Sequence, residues 1–243
     1  MKKIVISQPM YFPWVGIFEQ IRLCDIYIHY DDVQFSKGSF TNRVQIKTGT
    51  TEGFKWLTVP LKDLKLGRKI NEVEIDYEKD WCGQHFELLK QSYKKAPFLE
   101  EMLKIADELF SINYKNISEL SKKSVELIVE YYSLQPADKI FTSSELPVYG
   151  SSSQRVLDLV KLFEGDIYVT GHGAKHYLDH ELFERNGITV EYLDYLRKPY
   201  QQLNGNFNPH VSILDLIANI GREGLQYIIS STKNWRQFIY ESH

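Results

Sequence analysis

Two short apolar runs constrain this 243-residue chain most: KIVIS at residues 3–7 and IYIHY at residues 26–30. Both are too short for helices and suit buried strands, and the segment between them fits a turn followed by one helix. Strand, helix, strand in that order is the start of an open α/β sheet. In such sheets ligands bind beyond the carboxyl ends of the strands. The residues just beyond the two runs are unusual for a core-forming segment. The first run ends in Gln8 and enters a turn crowded with Pro9, Tyr11, Pro13, Trp14 and Gly16; the second ends in Asp31, Asp32 and Gln34. Rigid aromatics and polar groups at two strand ends suit a binding wall.

The rest of the chain extends the same reading. RVQIKT and FKWLTVPL alternate in strand fashion on either side of TGTTEG, which predicts a hairpin, and KINEVEID supplies a third extended piece. A small antiparallel insertion is expected over about 43–76. A helical segment should come next over 80–134, interrupted at Pro97. The last third returns to alternation: KIFTSS, the amphipathic QRVLDLVKLF, DIYVTGHGA, HELFERNG and ITVEYLDY. SILDLIANIGREGLQYIISS reads as two helices split at Gly221. The expected fold is α/β in a single domain: a mostly parallel central sheet with flanking helices, plus the small hairpin insertion and the helical segment.

Bulk properties narrow the function classes. A formal net charge of -3 and the lack of a basic run argue against nucleic acid or an anionic membrane as partner. No apolar stretch approaches the roughly 18 residues of a membrane span. Cys24 and Cys82 lack metal or disulfide spacing and fall on predicted helices, which points to a reducing, cytoplasmic location and disfavours a thiol nucleophile. His172, His176 and His180 are spaced by four, but Gly171 and Gly173 break the first turn, so no metal site is expected. Asp31 and Asp32 could hold a divalent cation or orient sugar hydroxyls. Neighbours on a strand face opposite ways, so one of the two should face a site.

Candidate bases are histidines, whose ordinary pKa lies near neutrality. His85 shares a helix face with Trp81 and Tyr93; His172 sits in a strand-end glycine turn after Thr170 and Gly171; His210 precedes the Ser212 cap, with Asp215 expected to complete a capping box. Tyr177 is expected to pack over the glycine turn, whose backbone N–H groups could contact a ligand.

The pattern resembles the WbqC-like family, with its strand-terminal QPxYxPWxGYF block and a DxVQF…NR stretch. Gln8, Pro9, Tyr11, Pro13, Trp14, Gly16, Phe18, Asp32, Val33, Gln34, Phe35, Asn42 and Arg43 carry the match. A third block matches approximately at Tyr200, Gln202, Gly205, Phe207, Pro209, Ser212, Asp215, Asn219 and Gly221. The family often has His where Ser7 stands here. The first turn is also similar to the HxGH turn of nucleotidylyltransferases and pantothenate synthetase, but Pro13 takes the place of the first histidine and no second one comes after it.

The family resemblance implies an enzyme of surface-polysaccharide or O-antigen metabolism, acting on a nucleotide-linked amino sugar. An acyl or aminoacyl group, glycyl for example, would pass to the sugar amine from an activated donor such as a thioester or adenylate, or from a carrier protein. On that reading Asp32, His85 and His172 are the catalytic candidates. Gln8, Tyr11, Trp14, Gln34, Asn42, Arg43, Thr170, Gly171, Tyr177 and His210 are the binding candidates, with Arg43 on a loop that orders around an anionic group. Two alternatives stand beside it: a non-catalytic nucleotide-sugar or glycan-binding accessory protein, and an ATP-using nucleotidyltransferase-like enzyme.

Overall fold

The computed structural model describes residues 1–50, 53–135 and 137–241. Strand β1 (Lys3–Ser7) leads through the aromatic turn into α1 (Val15–Leu23) and β2 (Ile26–His29). The antiparallel pair β3 (Arg43–Lys47) and β4 (Phe54–Thr58) comes next, then the helices α2 (Trp81–Ser92), α3 (Leu99–Phe110) and α4 (Ile117–Tyr132). The chain returns through β5 (Ile140–Thr142), α5 (Ser152–Leu162), β6 (Ile167–Thr170), α6 (His180–Arg185) and β7 (Thr189–Tyr195). It ends with α7 (Ile213–Ile220), β8 (Ser230–Asn234) and α8 (Trp235–Glu241).

The main sheet has the order β5-β2-β1-β6-β7-β8, parallel except for β8, which runs antiparallel on the β7 edge. Period-two alternation divides the strand residues between two cores. Val5, Tyr27, Val169 and Leu193 join α1, the helical segment and α7 on one face. Ile4, Ile28, Tyr168 and Val190 meet α5 and α6 on the other. The chain leaves β1 over one face to reach β2, and reaches β6 and β7 over the other. The strand order therefore reverses between β1 and β6, and this is where an open α/β sheet leaves a crevice.

Several expectations change. Lys69–Asp76 does not form a third strand of the small sheet: residues Ile70–Glu72 turn as a 3-10 helix, and only isolated bridges such as Leu61 to Ile75 remain. The hairpin turn expected around TGTTEG includes Thr51 and Glu52, which lie outside the described residues. After Gly221 the chain forms a 3-10 helix over Gly221–Tyr227 and then β8, rather than a second α-helix. Ser212 does cap α7, its hydroxyl accepting from the Leu214 N–H at 3.2 Å. Asp215 does not close a capping box. Its carboxylate instead accepts from the Tyr93 and Tyr200 hydroxyls at 3.0 and 2.8 Å, in the core. Burial raises the Asp215 carboxyl to about 6.

Candidate functional site

The turn after β1 sorts its aromatics by backbone geometry. Phe12 has a left-handed φ of 40°, rare for a bulky residue, and its N–H and carbonyl are held by Ser124 and Ser212 at 2.9 and 2.8 Å. This sharp reversal sends Tyr11 and Phe12 into the core and returns the chain so that Trp14 stands at the crevice. Gly16 completes the arrangement. A side chain there would begin 2.3 Å from the Trp14 ring, so the outer edge of the indole occupies the space beside the start of α1.

A cavity of about 520 Å³ opens at the switch point. Ser7, Gln8, Met10 and Trp14 form its β1 side; Thr170, Gly171, His172 and Gly173 form its β6 side. Gln20 from α1 and Tyr195 from the end of β7 lie against it, and Tyr30, Tyr168 and Tyr177 add further hydroxyls. No Asp, Glu, Lys or Arg lines it among the described residues. A second groove of about 400 Å³ shares Tyr30, Val33 and Ser152 with the cavity and is charged, with Asp32, Lys69 and Arg155 at its wall. The cleft thus has a neutral, hydrogen-bonding compartment and a charged one.

Within the neutral compartment the polar groups are fixed by particular partners. His172 contacts the Leu193 carbonyl through Nε2 at 2.6 Å. A carbonyl only accepts, so Nε2 carries the hydrogen and Nδ1 is left as the basic nitrogen. The ring packs between Tyr195 and Phe238, with centroids 5.0 and 4.7 Å away. Tyr195 also lies 4.8 Å from Trp14, and its hydroxyl accepts from Gln20 Nε2 at 3.0 Å. Burial pushes the Tyr195 phenol up to about 12, so it stays neutral. Thr170 accepts from the Tyr168 hydroxyl at 3.3 Å.

The two aspartates after β2 have different tasks. Asp31 is buried and accepts from Ser118, the Ser144 N–H and the Ser144 hydroxyl at 3.2, 3.1 and 3.0 Å, with Lys122 Nζ 3.8 Å away. It ties β2 to α4 and the end of β5. Asp32 faces the charged groove, where it pairs directly with Arg155 and accepts from Ser143 at 2.6 Å. Burial by itself would raise the Asp32 carboxyl, but those hydrogen bonds prevail and hold it below its ordinary range.

Of the residues singled out from sequence, Gln8, Trp14, Thr170, Gly171, His172 and Tyr177 meet at the neutral cavity, and Asp32 and Gln34 at the adjoining groove. The others lie elsewhere. His85 is buried on α2, its Nδ1 3.0 Å from the Tyr11 hydroxyl and its ring against Trp81 and Phe110. Burial lowers it to about 4, and neither His85 nor Tyr11 faces the cleft. Asn42 is buried and donates to the Val59 carbonyl at 3.0 Å, fixing the small sheet. Arg43 begins β3 rather than lying in a loop; it donates to the Gly38 carbonyl at 2.6 Å and covers the Trp56 ring at 4.3 Å. His210 lies tilted against Trp14, ring centroids 5.6 Å apart, on an exposed loop and lines neither compartment.

Sequence reasoning missed Gln20, Tyr195 and Arg155. Arg155 left a signal: a cation on the buried stripe of α5 beside Val156 and Leu159. Tyr195 is the terminal residue of β7, so the strand-end argument applied to β1, β2 and β6 reaches it too. Gln20 gave none, since a glutamine within an amphipathic helix is ordinary. Neither cysteine lines the cleft, and burial raises Cys24 to about 12 and Cys82 to about 11. Cys24 caps the end of α1 rather than lying inside it.

The WbqC-like protein family model matches residues 8–227, which span the aromatic turn, the cleft and α7. A curated relative, the uncharacterized protein Rv1507c of Mycobacterium tuberculosis (strain ATCC 25618 / H37Rv), is 34% identical over 234 residues. That alignment covers 94% of this chain and 98% of the relative. No solved structure matches. The chain belongs to the WbqC-like family.

Proposed function

With that membership as premise, we propose that the cleft binds a nucleotide-linked amino sugar and transfers an acyl or aminoacyl group to its amine. The observation that carries this reading is the division of the cleft at the β1/β6 switch point. A neutral cavity rich in hydroxyls, with amide and imidazole groups, suits a sugar ring, and the adjoining groove with Lys69 suits an anionic linkage. The sugar amine attacks the carbonyl carbon of an activated donor, a thioester or adenylate. The carbonyl π electrons move onto oxygen, the leaving group departs as the carbonyl re-forms, and the amine proton passes to His172 Nδ1. His172 suits this role because its other nitrogen is anchored to a backbone carbonyl, which fixes the tautomer. Asp32 acts as a positioning residue, holding Arg155 and the loop at the start of α5 against the groove. Direct transfer is favoured over a covalent enzyme intermediate, since both thiols have raised pKa values.

The test is calorimetric titration with nucleotide-linked amino sugars, then mass spectrometry of mixtures containing a glycyl or acetyl thioester or adenylate. Binding together with an N-acylated product is the expected result. Binding without product under every donor favours the accessory-protein alternative. No binding at all overturns the reading.

A further inference from the structure

Beside His172 at the cavity wall stands Tyr195, its ring centroid 5.0 Å from the imidazole. Gln20 is almost entirely buried, and its Nε2–H donates to the Tyr195 hydroxyl oxygen at 3.0 Å. No described residue accepts from the Tyr195 O–H. With its oxygen engaged by Gln20, the hydroxyl keeps its hydrogen available at a cavity wall. Gly171 is what leaves room in front of it. A Cβ there would lie 3.3 Å from the Tyr195 hydroxyl oxygen and 3.7 Å from Gln20 Nε2, with no other contact within 4 Å. A glycine is not required by the backbone, since the φ of Gly171 is -82°. The missing side chain serves space rather than conformation. Finally, His172 is anchored to the carbonyl of Leu193, two residues before Tyr195 on the same strand, so base and hydroxyl are referenced to one rigid element.

We infer that Tyr195, oriented by Gln20 and exposed by Gly171, is the hydrogen-bond donor to the carbonyl oxygen of the transferred acyl group. The inference rests on the acyl-transfer reading and deepens it, giving this wall of the cavity an amide-carbonyl subsite. In the reaction, the amine nitrogen bonds to the acyl carbon while the carbonyl electrons move to oxygen, which Tyr195 stabilises by hydrogen bonding without giving up its proton. The electrons return as the donor's leaving group departs, and His172 retains the amine proton. Donors aimed at developing negative charge in a water-poor site contribute strongly to such steps. The resulting amide presents the same oxygen to the same hydroxyl.

The experiment uses that product geometry, so it does not depend on finding the donor. Wild type, Tyr195→Phe and Gly171→Ala are titrated by calorimetry with UDP-glucosamine and UDP-N-acetylglucosamine, which differ only in the acetyl group on the amine. Tyr195→Phe keeps the ring packing against Trp14 and His172, and circular-dichroism melting checks that both variants are folded. Loss of one hydrogen bond to a neutral acceptor should weaken UDP-N-acetylglucosamine binding about tenfold in Tyr195→Phe. Affinity for UDP-N-acetylglucosamine should fall by that factor relative to affinity for UDP-glucosamine, and Gly171→Ala, whose methyl would lie 3.3 Å from the hydroxyl oxygen, should show the same selective loss. Equal loss for both sugars, or no loss for either, overturns the subsite while leaving the nucleotide-sugar reading intact. Wild type that binds neither sugar overturns that reading, and the subsite with it.

Discussion

Two histidine–tyrosine pairs flank the turn after β1, and they have opposite fates. His85 and Tyr11 are hydrogen-bonded at 3.0 Å and sealed among Trp81, Phe110 and Phe12. His172 and Tyr195 are in ring contact at 5.0 Å at the switch-point cavity. In the first pair the imidazole is used up: Nδ1 meets the Tyr11 hydroxyl, the Thr58 backbone supplies a further hydrogen bond, and burial holds the ring neutral. The second pair differs. His172 uses Nε2 on a backbone carbonyl and Tyr195 uses its oxygen on Gln20, so each keeps a functional atom for something else. Residue type is the same in both places. What separates the two pairs is whether an imidazole nitrogen and a phenol hydrogen are left over once the neighbours are counted.

The largest expected effect tests the open pair. His172→Gln should lower acyl-transfer turnover by about 10²–10⁴-fold with little change in melting temperature, whereas His85→Gln should leave turnover near normal. Steady-state kinetics on both variants check this, and equal losses would erase the contrast. Next is the groove. Arg155→Met removes the partner of a mostly buried Asp32 and should cost about 3–5 kcal/mol in urea unfolding, far more than an exposed ion pair would.

The closed pair has its own signature in acid. A histidine held at about 4 against an ordinary 6.5 binds fewer protons in the folded than in the unfolded chain between those values. Stability therefore falls as pH drops from 6.5 towards 4, by about 3 kcal/mol from His85. His29, also buried and lowered to about 3, acts in the same direction. Asp215 opposes them. Its carboxyl is raised from 3.8 to about 6, so the folded chain binds more protons in that window and gains stability as pH falls through it. His85→Gln should flatten the acid loss measured by urea unfolding at pH values of about 6.5, 5.5 and 4.5, and Asp215→Asn should steepen it. The smallest effect is expected at Arg43→Ala. With its guanidinium engaged on Gly38 and Trp56, away from both compartments, nucleotide-sugar affinity should be unchanged in the same calorimetric titration.

The sequence made the cleft lining legible wherever a strand ended. Gln8, Asp32, Thr170 and Gly171 come from short apolar runs meeting polar residues, because a parallel sheet exposes its carboxyl edge. Helical spacing was weaker guidance. It grouped Trp81, His85 and Tyr93 correctly on one face, but it could not tell whether that face met solvent, a cleft or the core. The same ambiguity misplaced Asp215, three residues from Ser212 as a capping box requires, yet claimed by two tyrosines distant in sequence. The strand β8 was unreadable for a different reason. STKN carries no apolar alternation, and an edge strand pairs through its backbone with little demand on its side chains.

The contact between Gly16 and Trp14 makes the width of the cavity and the first turn of α1 a single variable. Any side chain added at position 16 must displace the indole, since ring atoms already stand 2.3 to 2.7 Å from where its Cβ would be. The indole in turn carries Tyr195 on one contact and His210 on another. A methyl group beneath Trp14 would therefore shift the wall that Tyr195 belongs to, without touching a ligand itself. Position 16 works as the set-screw of that wall, and its setting is written in a residue that has no side chain.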